Sequence, residues 1–387
     1  MRGGIRKASL LLRKQSWFCR LLAVPFIGAC VGVVLLVMLY RWPFVNVPVY
    51  YFTVRPAFLW FGMLAPFLLP GIVSVKLRWF LCGCILWGIG LVMTEEVVQC
   101  LKPWGGRQRE AFRAAKAEFP KNREVDGAEG GPLRIPLRIV TWNILNGVMG
   151  ADQIVEQLAG LQPDIVLMQE SSPGRIRTAV MKSPYLRGFY QDPDAAILTR
   201  FPVARLPGGR LPPWTCSVFR VQVLPDRAIT CVNVHLSHLE LRTQVVRGWT
   251  WFGIQRAIAR AAQELGELRA TLELYAREGP LILAGDFNLP PYYADLRRAT
   301  VGLKDCFADN GYGWGKTVPS KLPVMRVDMI FVPQDARVYD ARAVGTRWSD
   351  HYMTLAEVAL PVRRREADAK VARPSREAPA GRSGVPK

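Results

Sequence analysis

Leu281-Ile282-Leu283-Ala284-Gly285-Asp286-Phe287-Asn288 is the stretch from which the rest of the chain is read. Leu281 to Ala284 is an apolar run of strand length set between Pro280 and Gly285, and an acid and an amide follow at once. One Asp behind a strand is ordinarily a turn former or a helix cap. Here the arrangement repeats along the chain. Leu137 to Asn143 is a strand candidate that ends in Thr141-Trp142-Asn143, and Asp164 to Gln169 is a buried strand that runs into Glu170. Ala228 to Val234 is β-rich and leads to His235, while Asp328 sits at the head of Met329-Ile330-Phe331. Ser349-Asp350-His351 precedes the strand Thr354 to Leu360. Further strands are expected at Ala195 to Thr199 and Ser217 to Val223. Helical spacing marks Ile154, Leu158 and Leu161, and Ile254 to Arg277 reads as a long amphipathic helix. Mixed strands with interspersed helices predict an α+β layered sandwich, two packed sheets with helices outside.

Upstream the pattern changes. Leu21 to Tyr40 is uncharged, apolar and long enough to span a bilayer, and no small-x-small cleavage site follows it. Ala57 to Val75, behind the interfacial aromatics Tyr50, Tyr51 and Phe52, reads as a second span, and Trp79 to Met93 as a short third. The expectation is a transmembrane helix bundle over residues 21–100, after a basic segment 1–20, in a multi-pass protein of the cell (inner) membrane. A cytoplasmic amino terminus and three crossings place the domain outside the cytoplasm; Lys102, Arg107, Arg109, Arg113 and Lys116 weigh against that orientation. Residues 101–132 read as a linker with one helical stretch around Arg109 to Glu118, residues 133–362 as the catalytic domain, and 363–387 as a disordered basic tail. The net charge of +20 gathers at the two ends, which suits anionic lipid and topology signals better than a nucleic-acid footprint. The eight cysteines form no CxxC or Cys/His zinc spacing and read as inert thiols. The apolar segments lack the acid–base pairs of a conduction path, so anchoring is their expected job.

Only three histidines occur in the chain, His235, His238 and His351, and two of them fall in these strand-end motifs. His238 reads as a solvated or packing histidine. In their order the motifs resemble those of the endonuclease/exonuclease/phosphatase superfamily, with the GDFN and SDH segments the most specific. The likeness spans nearly all of Leu133 to Leu360. It implies a four-layer α/β sandwich with the site at one end of the packed sheets. Carried over motif by motif, Glu170 resembles the main ligand of a catalytic Mg2+ (Mn2+ as a substitute), with Asn143 close by and Asp350 as a further metal-site residue. Asp286 and Asn288 resemble the pair that positions nucleophile and phosphate. His351 resembles the general base paired with Asp328, and His235 the histidine that stabilises or protonates the phosphate. Tyr352 departs from the family, where many relatives have Arg followed by Pro, and this bears on substrate preference. Gly313-Trp314-Gly315-Lys316-Thr317 lacks the spacing of a phosphate loop.

Chemistry supports the same roles. Carboxylate and amide oxygens are hard ligands suited to Mg2+. A histidine steadied by an aspartate accepts a proton near neutral pH. The expectation is a membrane-anchored, metal-dependent phosphoesterase whose partners are the lipid bilayer and a phosphate ester, nucleic acid or phospholipid head group, with no obligate protein partner. The alternative is a catalytically inactive membrane-tethered binding module of the same fold.

Overall fold

The computed structural model describes residues 2–41, 57–92, 95–102, 106–122, 133–145, 150–171, 173–238 and 251–362. Among the described residues twelve strands form two six-stranded sheets. In the first sheet the order is β11 (Arg337–Val344), β12 (Met353–Val362), β1 (Leu133–Asn143), β2 (Ile165–Gln169), β4 (Ala196–Thr199), β3 (Gly188–Gln191). In the second it is β5 (Val203–Leu206), β6 (Cys216–Leu224), β7 (Arg227–His235), β8 (Leu281–Asp286), β10 (Asp328–Pro333), β9 (Leu303–Asp305). Both sheets are mixed: β1 pairs parallel with β2 and β7 with β8, and the other pairs are antiparallel.

The central strands bury both faces, which is why they read as nearly continuous apolar runs. Alternate residues of each go to different cores. Leu137, Ile139, Ile165, Leu167, Cys231, Ile282 and Ile330 fill the space between the sheets. On the far side of the first sheet, Val140, Trp142, Val166 and Met168 pack against α7 (Ala151–Ala159) and α8 (Pro173–Lys182) through Ile154, Leu158, Ile176 and Ala179. On the far side of the second, Val232, Leu283 and Met329 meet Leu265, Leu268 and Leu272 of α9 (Trp251–Ala276) and Leu296 of α10 (Ala294–Ala299). The layers therefore run helix, sheet, sheet, helix.

The amino-terminal third corrects the expectation of a transmembrane bundle. Among the described residues one helix, α1 (Arg2–Arg41), contains a stretch long and apolar enough to cross a membrane, Arg20–Met38, with a mean hydropathy of 2.7. Length and composition suit either an anchor or a signal sequence. The second span expected over 57–75 is broken into α2 (Ala57–Leu64), a 3-10 turn (Ala65–Leu68) and α3 (Gly71–Ser74). Pro66 and Pro70 explain the break, since neither supplies a backbone N–H to continue a helix. The third becomes α4 (Leu77–Val92), whose apolar part Leu77–Leu91 rises about 22 Å at 1.5 Å per residue, short of the ~30 Å hydrocarbon core. These pieces pack on α1 around Phe26, Val33, Phe61 and Leu68, and Trp87 donates its indole N–H to the Phe61 carbonyl at 3.0 Å. The interfacial aromatics, the Met93 end of the third span and the 363–387 tail lie outside the described residues.

The linker stretch is also more ordered than expected. α5 (Glu95–Leu101) docks through Gln99, which donates to the carbonyls of Phe307 and Ala308 in α11 (Cys306–Asn310). Beyond it α6 (Gly106–Asn122) exceeds the predicted helical stretch and lies on the first sheet. Fully buried Phe112 meets Tyr339 edge-on, and Lys116 pairs with Asp164 at 2.5 Å.

Candidate active site

The ends of β1, β2, β7 and β8, the start of β10 and the segment before β12 come together at one pole of the sandwich. Register does this. Asn143 sits opposite Gln169, His235 opposite Asp286, and Asp286 opposite Asp328. The Gly285 position is where the close fit requires glycine: φ is +150°, and a Cβ there would stand 1.9 Å from the Val234 carbonyl oxygen. Without that approach β8 could not lie against β7 with Asp286 beside His235.

Glu170 is placed by a backbone irregularity. Gln169 points between the sheets, so an extended chain would aim the next residue away from them. Glu170 instead takes a left-handed conformation (φ 52°), and its carboxylate accepts from the Asn143 amide N–H at 2.9 Å. Asn143 donates also to Asp286 Oδ2, at 3.1 Å. Asn288 is left-handed too (φ 51°) and pinned on three sides. Its backbone N–H donates to Asp286 Oδ1 at 2.9 Å, its side-chain amide donates to the Leu236 carbonyl at 2.9 Å, and its Oδ1 lies 2.7 Å from His238 Nδ1. Non-glycine residues held at positive φ concentrate where a site over-determines them. His238, expected to be solvated or packed, thus contacts a predicted site residue.

Two histidine–aspartate pairs face each other across this cluster. His351 Nδ1 is 2.9 Å from Asp328 Oδ2, with Asp328 fully buried. The Ser349 hydroxyl accepts from the His351 backbone N–H and donates to the Asn143 carbonyl, which ties the segment before β12 to the end of β1. His235 Nδ1 is 2.7 Å from Asp194 Oδ2, and its other nitrogen faces Glu170 at 3.8 Å and Asp286 at 4.0 Å. Burial opposes the imidazolium of His351, but the charge and hydrogen bond of Asp328, with Asp286 and Asp350 behind them, outweigh it and lift the pKa to about 10. For His235 burial again opposes the charge, and the hydrogen bond it donates to Asp194, with Asp286 and Glu170, turns the balance upward. Burial raises the Asp328 carboxyl, against the pull of His351.

The pole has the donor set of a cation site. Asp286, Asp328 and His351 offer possible ligand atoms within 4.8 Å of one another. His351 Nδ1 and Asp328 Oδ2 are engaged with each other, which leaves His351 Nε2 and Asp328 Oδ1 as the atoms of that pair that could ligate. The Glu170 and Asp286 carboxylates fit better. Both accept from the side-chain amide N–H groups of Asn143, whose oxygen accepts from the Leu145 backbone N–H. Asp350 adds an oxygen that is buried without a hydrogen-bond partner. Hard oxygens of this kind suit a hard divalent ion.

Of the residues expected from sequence, Asn143, Glu170, His235, Asp286, Asp328 and His351 meet at one cluster. Asn288 borders it through Asp286, and Asp350 joins through His351 rather than through Glu170. Asp194 was missed. It lies in Gln191-Asp192-Pro193-Asp194, between the short strands β3 and β4, and reads as a turn residue.

Residues 140–351, more than half of the chain, match the model of the Endonuclease/Exonuclease/phosphatase family. Compared by sequence with curated proteins, the chain has no significant match. Solved structures of similar fold include an endonuclease/exonuclease/phosphatase family protein from Bacteroides thetaiotaomicron, at 17% identity over 59% of this chain and 96% of that one, TM-score 0.46. A mannosyl-6-phosphatase from the same organism is 18% identical over 57% and 99% of the two chains, TM-score 0.42. TDP2 from D. rerio, complexed with a single-strand DNA product, is 17% identical over 58% and 98%, TM-score 0.43. The chain belongs to the endonuclease/exonuclease/phosphatase family.

Proposed function

We propose that this chain is a membrane-anchored, Mg2+-dependent phosphoesterase that hydrolyses phosphodiester or phosphomonoester bonds with water activated by His351 and Asp328. The observation that carries this reading is the pairing of two histidine–aspartate dyads around the Asn143, Glu170 and Asp286 cluster. Glu170, Asp286, Asn288, Asp328 and His351 are all present, which argues against an inactive binding module.

Glu170 and Asp286 would hold the ion, with Asn143 steadying both carboxylates through its amide and Asp350 beside His351, and the ion would neutralise charge on the phosphate and offset the carboxylates that hold His351 protonated. Asp328 fixes the His351 tautomer, so that Nε2 is free to accept the proton of the attacking water. Asp286 and Asn288 orient that water and the phosphate. His235, whose charged form Asp194 favours, donates a hydrogen bond to a phosphate oxygen or a proton to the leaving group. With Arg20–Met38 as the anchor and Arg2, Arg6, Lys7, Arg13 and Lys14 on its cytoplasmic side, the domain works outside the cytoplasm, on nucleic acid or on a phospholipid head group.

The test uses the full chain in detergent with bis(p-nitrophenyl) phosphate, plasmid DNA and phospholipid vesicles, each with Mg2+ or with EDTA. At least one substrate is expected to turn over with Mg2+ and stop with EDTA. No turnover on any of them, or turnover indifferent to EDTA, refutes the reading.

A further inference from the structure

Three links in the site cross between the two sheets. His351 belongs to the first sheet's segment and Asp328 to the second; His235 belongs to the second and Asp194 to the first. Asn143 reaches from β1 to Asp286 on β8. The site's geometry therefore depends on how the sheets are spaced and slid at this pole. An apolar interface does not define that well, because apolar contact is non-directional.

The inward faces of the strands show how it is defined. β2 presents Ile165, Leu167 and then Gln169; β7 presents Ile229, Cys231, Asn233 and then His235; β1 presents Leu137, Ile139, Thr141 and then Asn143. The apolar core gives way to one layer of amides and a hydroxyl, and only then come the charged groups. In that layer Gln169 Nε2 donates to Asn233 Oδ1 at 2.6 Å and to Thr141 Oγ1 at 3.1 Å. Asn233 Nδ2 donates across the seam to the carbonyls of Met168 at 2.8 Å and Ala196 at 3.2 Å. Gln169 and Asn233 are 0% and 1% exposed. Directional bonds inside a dry interior are strong and tolerate little slippage. Gln169 immediately precedes Glu170, and Asn233 lies on the face of β7 that carries His235, with one residue between them.

We infer that Gln169 and Asn233 form a positioning clamp, a buried amide pair that sets the spacing of Glu170 against His235, and so of the whole site, across the seam between the sheets. The inference rests on the proposed hydrolytic role, but its test does not.

Replacing both partners by apolar residues removes the clamp while leaving no unpaired buried amide of that pair, so stability changes far less than in either single variant. The full chain carrying Gln169→Leu and Asn233→Leu together is compared with wild type for melting temperature, kcat and KM on whichever substrate the wild type hydrolyses. Its three histidine signals are compared by NMR in chain labelled at histidine and free of metal. The expected result is a melting temperature within a few degrees of wild type, kcat lower by on the order of 100-fold with KM little changed, and displaced signals for His235 and His351. Wild-type kcat and unmoved histidine signals in a folded double variant overturn the clamp. If the wild type turns over no phosphoester, the proposed function fails by itself, and the histidine signals still decide the clamp. Should the double variant not fold, Thr141→Val takes its place. It removes one bond that aims the Gln169 amide at nearly unchanged shape. A several-fold fall in kcat, or displaced histidine signals where no substrate turns over, supports the clamp; neither change overturns it.

Discussion

The two histidine–aspartate pairs have the same hydrogen bond and opposite surroundings. Asp328 is entirely enclosed, and His351 exposes only 11% of its side chain; Asp194 and His235 expose 24% and 21%. Asp328 starts a central strand and lies in register with Asp286, so the rigid part of the second sheet holds it. Asp194 sits in the connection between two short strands at the far end of the first. A proton acceptor needs a fixed tautomer and a partner that cannot turn to water. A group that meets charge or a leaving group at the mouth needs some access. Burial thus separates the proposed roles of two pairs that their distances alone leave equivalent.

The sharpest way to break this comparison is to remove each ring. His351→Ala is expected to lower kcat on the order of 100-fold or more, with KM nearly unchanged, because it deletes the acceptor and leaves Asp328 buried without its partner. Steady-state kinetics on the substrate found with Mg2+ measures it. A loss below tenfold contradicts the role assigned to His351.

A smaller effect tests the partners. Asp194→Asn keeps the shape and removes the charge that favours protonated His235. Roughly a tenfold loss of kcat is expected, less than the hundredfold or more a general acid itself contributes, since water at this more open pair takes over part of the carboxylate's work. Asp328→Asn, measured beside it, is expected to cost more. The reverse order would make the Asp194 pair the base and invert the assignment.

Residues were legible in the sequence wherever burial on both faces wrote an apolar run. β1, β2, β7, β8, β10 and β12 are of that kind, and each has a site residue at, or within two residues of, one of its ends. What escaped has physical reasons. Asp194 follows a short edge strand with no run to mark it. β11 went unseen because Asp340 and Arg342 interrupt Val338, Ala341 and Val344, and those charges answer each other inside the fold. The His238 contact depends on the left-handed turn at Asn288, a backbone choice that no residue type announces in advance. The broken second span is a different case. Pro66 and Pro70 stand in the sequence, and their missing N–H groups oppose one helix from Ala57 to Val75.

Asp340 provides the smallest and most controlled test, a buried carboxylate that faces arginines rather than a histidine. It is 1% exposed, lies opposite Glu357 in the β11–β12 register and pairs with Arg342, with Arg109 3.9 Å away. One of its oxygens is buried without a hydrogen-bond partner. Burial, helped by the like charge of Glu357, outweighs the arginines and lifts its pKa from 3.8 to about 6. A carboxyl raised in the folded state favours folding when protonated, so its contribution is full below pH 3.8 and is lost as the pH climbs through about 6. Asp340→Asn mimics the protonated form. At pH 7.5 it is expected to raise the melting temperature by a few degrees, and the advantage should vanish below about pH 4, where both chains carry a neutral group. Activity should stay at the wild-type level, because the residue lies outside the cluster. A variant that melts lower at pH 7.5 would mean that Arg342 and Arg109 stabilise the charge more than burial opposes it. Enclosure alone would then not separate a structural carboxylate from one like Asp328, whose partner is a titrating ring.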